Sequence, residues 1–372
     1  MGVATPLGMS VSGLWSRLLE GQSAARAWED LAAEGYRSNY ACRIEGIEHA
    51  PFRRGRQLAL LAAESAVKQS GLPVPKNTGI FFGSTLGESA AFEFAATGQS
   101  IDLQDHAVRS IARGIAHQYG VENAPTAIAT ACAAGNYAVG MACRALKKGR
   151  IALAIAGGAE PFSRLAMVGF SRSRAMSNQY CRPFDVNRSG MLLGEGAAIF
   201  MLERAEDALA RGATPLAEVL SLGLTCDAYH PVAPRPDGSG IRRAIETALK
   251  TAGVLPEQID WVNTHGSGTK LSDIAEAKAL KQVFGENVPT CSGSKGALGH
   301  ALGAASAIEL ALCVQGIQAQ TLPPTPCHEQ ADPECNIPCL SSPRSATIQY
   351  VLNCAFAFGG LNSALLIRSW NV

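Results

Sequence analysis

Short apolar runs, each followed by a stretch with helical spacing, recur along this chain in the same order twice, and no other feature limits its fold as tightly. In the first round the apolar runs are Gly79-Ile80-Phe81-Phe82-Gly83, the segment beginning Thr126-Ala127-Ile128, and residues 151–158. Helical spacing covers residues 58–69, residues 107–119 and the stretch from Tyr137 through Met141 and Ala145 to Lys147. In the second round strands are expected at 217–224, 260–263, 346–354 and 363–369, and helices at 240–251, 273–284 and 304–315. A further strand over 192–203 is interrupted by Gly194-Glu195-Gly196, while residues 22–50 and 161–190 read as mainly irregular. Runs that are apolar at every position fit strands buried on both faces. Strands alternating with helices predict a layered α/β protein. The repetition predicts two similar halves, residues 1–212 and 213–372.

The chain can fill such a fold: it has 372 residues, 47% hydrophobic and 17% charged, with 38 glycines for tight turns. Its net charge is 32 − 31 = +1, which gives no general pull toward nucleic acid or an anionic membrane surface. Eleven cysteines lie scattered, most in apolar runs, without the spacing of a disulfide framework. With no signal peptide and no apolar run of 18 or more residues, the chain reads as soluble and cytoplasmic, with reduced thiols.

Three stretches carry chemistry. In Thr130-Ala131-Cys132-Ala133-Ala134-Gly135 a buried strand turns into a helix among residues small enough to admit another molecule. The unpaired N–H groups and positive dipole end of that helix favour a thiolate, which predicts a Cys132 pKa below the ordinary value of about 8.5. On this stretch alone a nucleophile and a packed small hydrophobe both fit. Two strand-end loops, Thr264-His265-Gly266-Ser267-Gly268-Thr269 and Lys295-Gly296-Ala297-Leu298-Gly299-His300, add a histidine each among glycines. The second precedes an apolar helix bearing Glu309. A lone histidine is more often structural than catalytic. Two in such loops, with an elbow cysteine, form a Cys/His/His constellation once the halves pack together. A fourth stretch, Asn353-Cys354-Ala355-Phe356-Ala357-Phe358-Gly359-Gly360, is a glycine-hinged loop after a strand. Its backbone N–H groups can complete an oxyanion hole beside Cys132.

Together these residues resemble the β-ketoacyl-[acyl carrier protein] synthases, and within them the condensing type called KAS II. The resemblance takes in Gly157-Gly158-Ala159-Glu160, Arg182-Pro183-Phe184-Asp185, Gly194-Glu195-Gly196 and Asp227-Ala228-Tyr229-His230, and so spans nearly the whole chain in order. It implies a thiolase-like fold, two βαβαβ-containing halves stacked in five layers, normally dimeric, with the active site between the halves. It implies that Cys132 takes an acyl group from the phosphopantetheine of an acyl carrier protein. The acyl oxygen would lie in a hole made by the amides of Cys132 and Phe358. A malonyl-carrier protein then loses CO₂, and His265 and His300, as neutral Nε2–H donors, stabilise the enolate that attacks the acyl-Cys132 thioester. Lys295 is implied as a supporting cation paired with Glu309, Ser267 and Thr269 as pantetheine-binding residues, and Phe358 as a gate. No cofactor and no metal is implied beyond the carrier's phosphopantetheine.

The same residues separate relatives. Priming condensing enzymes use Cys, His and Asn, thiolases use a second catalytic cysteine, and chain-length factors lack the nucleophile. In this chain Cys132 and His300 are both present, and Cys354 reads as strand packing. The expected function is an elongating, decarboxylative condensing enzyme of fatty-acid or type II polyketide (for example aryl polyene) synthesis. It would act as a homodimer or as a heterodimer with a ketosynthase-like chain-length factor. The alternatives are housekeeping fatty-acid elongation only, a non-elongating ketosynthase-like partner, or another acyltransferase. Departures from the family pattern favour a dedicated pathway. They are Ala357 and Leu361 in the gate loop, Ser267 for a threonine, a short segment between Gly83 and Cys132, and a chain that opens beyond the family's first strand. Arg53, Arg54 and Arg56, with Arg182 and Arg188, are expected to form a basic surface for an acidic carrier protein. Cys327-His328 with Cys335 and Cys339 invites a zinc reading, but the spacings fit no standard module and prolines interrupt them.

Overall fold

The duplicated pattern folds into two five-stranded sheets with one topology. The computed structural model describes residues 1–47, 53–98, 100 and 107–370. In the first sheet Gly2–Ala4 (β1), Gly79–Gly83 (β2), Thr126–Ile128 (β3), Leu153–Glu160 (β4) and Gly196–Glu203 (β5) lie in the order β1-β5-β4-β2-β3. In the second, Glu218–Cys226 (β6), Trp261–Asn263 (β7), Thr290–Ser292 (β8), Tyr350–Ala357 (β9) and Leu361–Arg368 (β10) lie in the equivalent order β6-β10-β9-β7-β8. In each sheet the last three strands are parallel, and the first two pair antiparallel.

Helices Arg54–Ser70 (α1) and Val108–Gln118 (α2) cover the outer face of the first sheet. Ala134–Lys147 (α3) crosses its inner face between β3 and β4. The second half repeats this with Ser239–Ala252 (α4) and Lys270–Phe284 (α5) outside and Leu302–Ala319 (α6) inside. Helices α3 and α6 therefore lie together between the sheets, the middle of five layers. Because α6 is enclosed on all sides, it is apolar all round: by length and composition it could cross a membrane, yet it is a core helix.

Small residues decide how close these layers come. A Cβ on Gly135 of α3 would lie 2.6 Å from the Ala307 amide nitrogen and 2.8 Å from Ser306 Oγ on α6. One on Gly83 would lie 2.5 Å from the Ala134 carbonyl, so β2 meets the start of α3 with no room for a side chain. Around the contact a shared core joins Val139, Ala142 and Leu146 of α3 to Ala307, Leu310 and Ala311 of α6 and to Phe200, Val351 and Ile367 of the two sheets. The carboxyl ends of the parallel strands and the amino ends of both central helices thereby converge, the usual place for a ligand in an open α/β sheet.

Several expected boundaries move, each for a visible reason. The strand expected over 192–203 begins only at Gly196, because Leu192–Gly194 bridge instead to Cys42 and His300 and the Glu195 side chain turns inward to Arg54. Residues 161–190 hold a helix, Arg164–Arg172, capped by the Ser163 hydroxyl accepting from the Ala166 amide at 3.2 Å. A five-residue helix, Glu29–Ala33, lies in the other stretch expected to be irregular. The edge of the first sheet is a three-residue strand, Gly2–Ala4, paired with β5. Of the segment between Gly83 and Cys132, residues 99 and 101–106 lie outside the described residues; the rest includes helices Ala90–Ala96 and α2.

Substituting Gly135→Ala should lower stability by about 1–3 kcal/mol, since the methyl meets backbone that cannot rotate away. Urea unfolding would measure it. A gain in stability would mean that the two helices do not touch there.

Candidate active site

Cys132 stands on a turn the backbone does not adopt freely. Ala131 has φ +46°, in the left-handed region that costs a non-glycine residue about 1 kcal/mol or more. The single 3₁₀ turn Ala131–Ala133 then feeds directly into α3. This aims the thiol into the junction of the halves, where it is only 7% exposed. Burial pushes the thiol up to about 12, while the Lys295 cation and the backbone N–H groups of Phe358 and Cys132 itself pull it down and Glu160 raises it. This direction is opposite to the lowering expected from the helix terminus, with desolvation its largest cause. The Phe358 and Cys132 amides lie within hydrogen-bonding reach of the sulfur.

The loop after β7 brings His265 in, and the segment before α6 brings His300, at the position in the second half equivalent to Cys132 in the first. Their rings meet edge to face, centroids 5.3 Å apart at 74°, and Phe356 packs against His265 at 6.2 Å. Burial, then Lys295, then the facing His300 hold His265 well below the usual imidazole range, and burial and Lys295 do the same to His300. Both rings are neutral at physiological pH. Their Nδ1 atoms are buried without partners.

Backbone ties hold both loops. Glu276 accepts from the His265 and Gly266 amides at 2.7 and 2.9 Å. The His300 amide donates to Leu192 O at 2.7 Å and its carbonyl accepts from Gly194, so the first half clamps the second half's histidine. Lys295 is fully buried, donates to the His265 carbonyl, and pairs with Glu309 Oε1 at 2.5 Å. Burial raises Glu309 and Glu276, the latter to about 8.

Phe358 follows β9 on a turn whose Gly359 and Gly360 have φ +81° and +70°, a conformation glycine adopts without penalty. Asp227 anchors this turn: its amide donates to Gly360 O, and its carboxylate accepts from Asn362 Nδ2 at 2.7 Å and the Arg235 amide at 2.9 Å. The Phe358 ring is 37% exposed and lies against Phe170, centroids 5.4 Å apart. Ser267 and Thr269 share a hydroxyl contact at 2.9 Å, and Asp273 accepts from the Phe184 and Gly268 amides and the Ser267 hydroxyl.

The structure therefore brings together Cys132, His265, His300, Lys295, Glu309 and the Phe358 amide, with Ser267 and Thr269 on the His265 loop. Sequence reasoning misses Asp273, Glu276 and Phe170 as parts of the site and gives Asp227 only as a member of a family motif, with no role. Asp273 and Glu276, three apart on α5 and both buried, carry a signal: acids at helical spacing directly after a histidine loop. Phe170 carries none, since its helix reads as loop. Glu160 accepts from Ser84 Oγ and the amides of Thr85, Leu86 and Gly303, joining the loop after β2 to the start of α6.

The expected basic surface is not one surface. Arg54 is buried on Glu195 at 2.9 Å, the Arg188 side chain is 1% exposed between Asp273 and Asp332, and Arg182 pairs with Glu329. Arg172 and Arg174, at the end of the helix that carries Phe170, are exposed and have no ion-pair partner among the described residues. Among the described residues no group of three or more His, Cys, Asp or Glu is placed to hold a metal, and His328 Nδ1 lies 3.0 Å from the Pro183 carbonyl. Cys354 is fully buried in the second sheet's outer core.

Residues 1–208 match the family described as beta-ketoacyl synthase, N-terminal domain, and residues 216–328 match its C-terminal domain. The chain is 32% identical over 403 residues to 3-oxoacyl-[acyl-carrier-protein] synthase 2 of Staphylococcus aureus, covering 99% of each. It is 31% identical to nodulation protein E of Rhizobium meliloti, covering 99% of this chain and 97% of that protein. Among solved structures it is similar to the ishigamide ketosynthase/chain length factor (TM-score 0.92, 35% identity, 99% and 97% covered). It is also similar to a type II polyketide acyl-carrier protein complex with its ketosynthase bound to a hexaketide (TM-score 0.92, 28% identity, 99% and 97% covered).

With a thiol near 12, about one Cys132 in 10⁴ is ionised at pH 8. Alkylation by iodoacetamide, read at the Cys132 peptide by mass spectrometry, should rise about tenfold per pH unit from pH 7 to 10. A plateau near pH 8 would show that the helix terminus prevails over burial.

Proposed function

The chain belongs to the β-ketoacyl synthase family, and from that premise we propose which residues perform its decarboxylative condensation. It is an acyltransferase that elongates acyl chains carried on acyl carrier protein. Cys132 sulfur attacks the acyl thioester, the bond to the pantetheine sulfur breaks, and the Cys132 proton leaves with that sulfur as a free thiol. The carbonyl oxygen sits between the Cys132 and Phe358 amides. In the malonyl group the bond to the carboxylate carbon then breaks, CO₂ departs, and its electron pair forms an enolate. His265 and His300 donate Nε2–H to the enolate oxygen. The enolate carbon bonds to the acyl carbon, the bond to Cys132 breaks, and the thiolate takes one proton from solvent.

The observation that carries this assignment is that His265 and His300 meet edge to face, 5.3 Å apart, beside buried Lys295, where burial and that cation both favour the neutral ring. A neutral N–H donor strengthens its bond only as negative charge appears on the enolate, and each such donor is worth on the order of 3 kcal/mol. An imidazolium would instead pair with the malonyl carboxylate and hold the ground state. Lys295, tied to Glu309 and the His265 carbonyl, supplies field rather than protons. Phe358, resting on Phe170, gates the thiol, and Ser267 and Thr269 receive the pantetheine arm. No cofactor is required beyond the carrier-borne phosphopantetheine.

Structural neighbours described as a ketosynthase with its chain length factor, and as a ketosynthase with its carrier protein, support two partners, a carrier protein and a ketosynthase-like chain-length factor; the exposed Arg172 and Arg174 are where an acidic carrier would dock. With the gate-loop departures Ala357 and Leu361, this favours a type II polyketide or aryl polyene pathway in the cytoplasm over housekeeping fatty-acid synthesis. Assays with saturated, unsaturated and aryl acyl-carrier proteins test it, and a clear preference for saturated chains would sink it.

Cys132→Ala should abolish condensation, by about three orders of magnitude or more, while malonyl decarboxylation continues; elongation by that variant would refute the role of Cys132 as nucleophile. Arg172→Glu with Arg174→Glu should raise KM for the carrier substrate at least about fivefold and leave turnover of free pantetheine thioesters unchanged. Equal loss on both substrates would remove these residues from the docking surface.

A further inference from the structure

Behind the reacting groups lies a buried amide network that touches every element carrying one of them. Asn136 follows Cys132 by four residues on α3, and Asn263 precedes His265 by two on β7. Ser306 follows His300 by six on α6, and Asn353 precedes Phe358 by five on β9. The Asn353 carboxamide uses its full capacity. Its Nδ2 donates to Asn136 Oδ1 at 2.9 Å and Ser306 O at 2.8 Å, and its Oδ1 accepts from Asn263 Nδ2 at 2.8 Å and the Cys313 thiol at 3.9 Å. Asn136 Nδ2 donates to Asn353 O at 3.1 Å and Ser363 Oγ at 3.2 Å, and the Asn136 amide donates to Ser306 Oγ at 3.1 Å. None of these asparagines and serines is more than 2% exposed.

Hydrogen bonds of this kind add modestly to stability, because the same groups bond water in the unfolded chain. What a fully satisfied buried network adds is one unique arrangement. The contact around it needs that. Where α3 and α6 come closest the facing residues are Gly135 and Ala307, and the apolar packing around them is non-directional. Asn136 is the one member from the first half; Asn263, Ser306, Cys313, Asn353 and Ser363 all come from the second.

The reaction divides along the same line. Malonyl decarboxylation uses His265 and His300, both in the second half, whereas acyl loading and carbon–carbon bond formation also use Cys132 in the first. We infer that Asn136, held by Asn353 and Ser306, is a positioning residue that fixes the register of the nucleophile helix against the histidine-bearing half. It aligns the acyl-Cys132 carbonyl with the enolate and has no part in decarboxylation. The inference rests on the condensation mechanism proposed for Cys132, His265 and His300.

The test compares CO₂ release from malonyl-carrier protein with β-ketoacyl product formed when acyl-carrier protein is also present, using the full chain with any partner subunit. Asn136→Leu keeps the branched shape of the side chain, with somewhat greater volume, and removes the hydrogen bonds. Product formed per CO₂ released should fall at least about tenfold, with CO₂ release within about threefold of wild type, because small misalignments between two reacting groups are costly. Ser306→Ala, which removes only the hydroxyl bonded to the Asn136 amide, should move the ratio the same way by a smaller factor, and it decides the matter if Asn136→Leu does not fold. Product and CO₂ falling together with the folded fraction, or an unchanged ratio in the deciding variant, overturns the inference. Wild-type protein that forms no β-ketoacyl product would instead sink the condensing function itself.

Discussion

The structure depends on two helices meeting almost backbone to backbone. Gly135 of α3 and Ala307 of α6 leave no room for a larger side chain between them, and this lets two sheets share one central layer. The contact lies just past the amino ends of both helices, so Cys132 at one terminus and His300 at the other are delivered to the same place. A bulkier contact would separate the helix axes and with them Cys132 and His300.

Burial in that junction sets the electrostatics. Buried Lys295 stands among Glu309, Glu276, Asp273 and the two imidazoles, with Arg188 also buried on Asp273. In a dry site the Lys295 field and the loss of hydration act together on the histidines, and both favour the neutral ring. On the cysteine they oppose each other, and loss of hydration wins. Burial thus favours the neutral form of all three groups, His265, His300 and Cys132. Glu276 accepts from two loop amides and Glu160 from three amides and a hydroxyl, which offsets part of the cost of burying them.

Much of this is legible from the order of residues. The strand Gly79–Gly83 reads at its observed limits, the helices α4 and α6 close to theirs, and the duplication in full, because continuous apolar runs and helical spacing are local signals. Cys132, His265 and His300 are legible as candidates because each sits in a small-residue loop at a strand or helix end. The helix carrying Phe170 is not, since Pro161 and Gly169 mask a periodicity that only its packing sustains. The arginines mislead for a related reason: Arg54 and Arg188 look solvated in sequence, and only the fold shows Glu195, Asp273 and Asp332 waiting for them.

By itself the sequence determined the alternation, the two halves and the set of reactive side chains, since all three follow from residue type and spacing along one segment at a time. Tertiary structure alone decided that Cys132 and His300 occupy equivalent positions in the two sheets, that the imidazoles are neutral and the thiol protonated, and which arginines reach solvent. Those properties depend on how much water is excluded and on which groups arrive from more than a hundred residues away. Neither quantity is local, so neither is written in any one stretch of the chain.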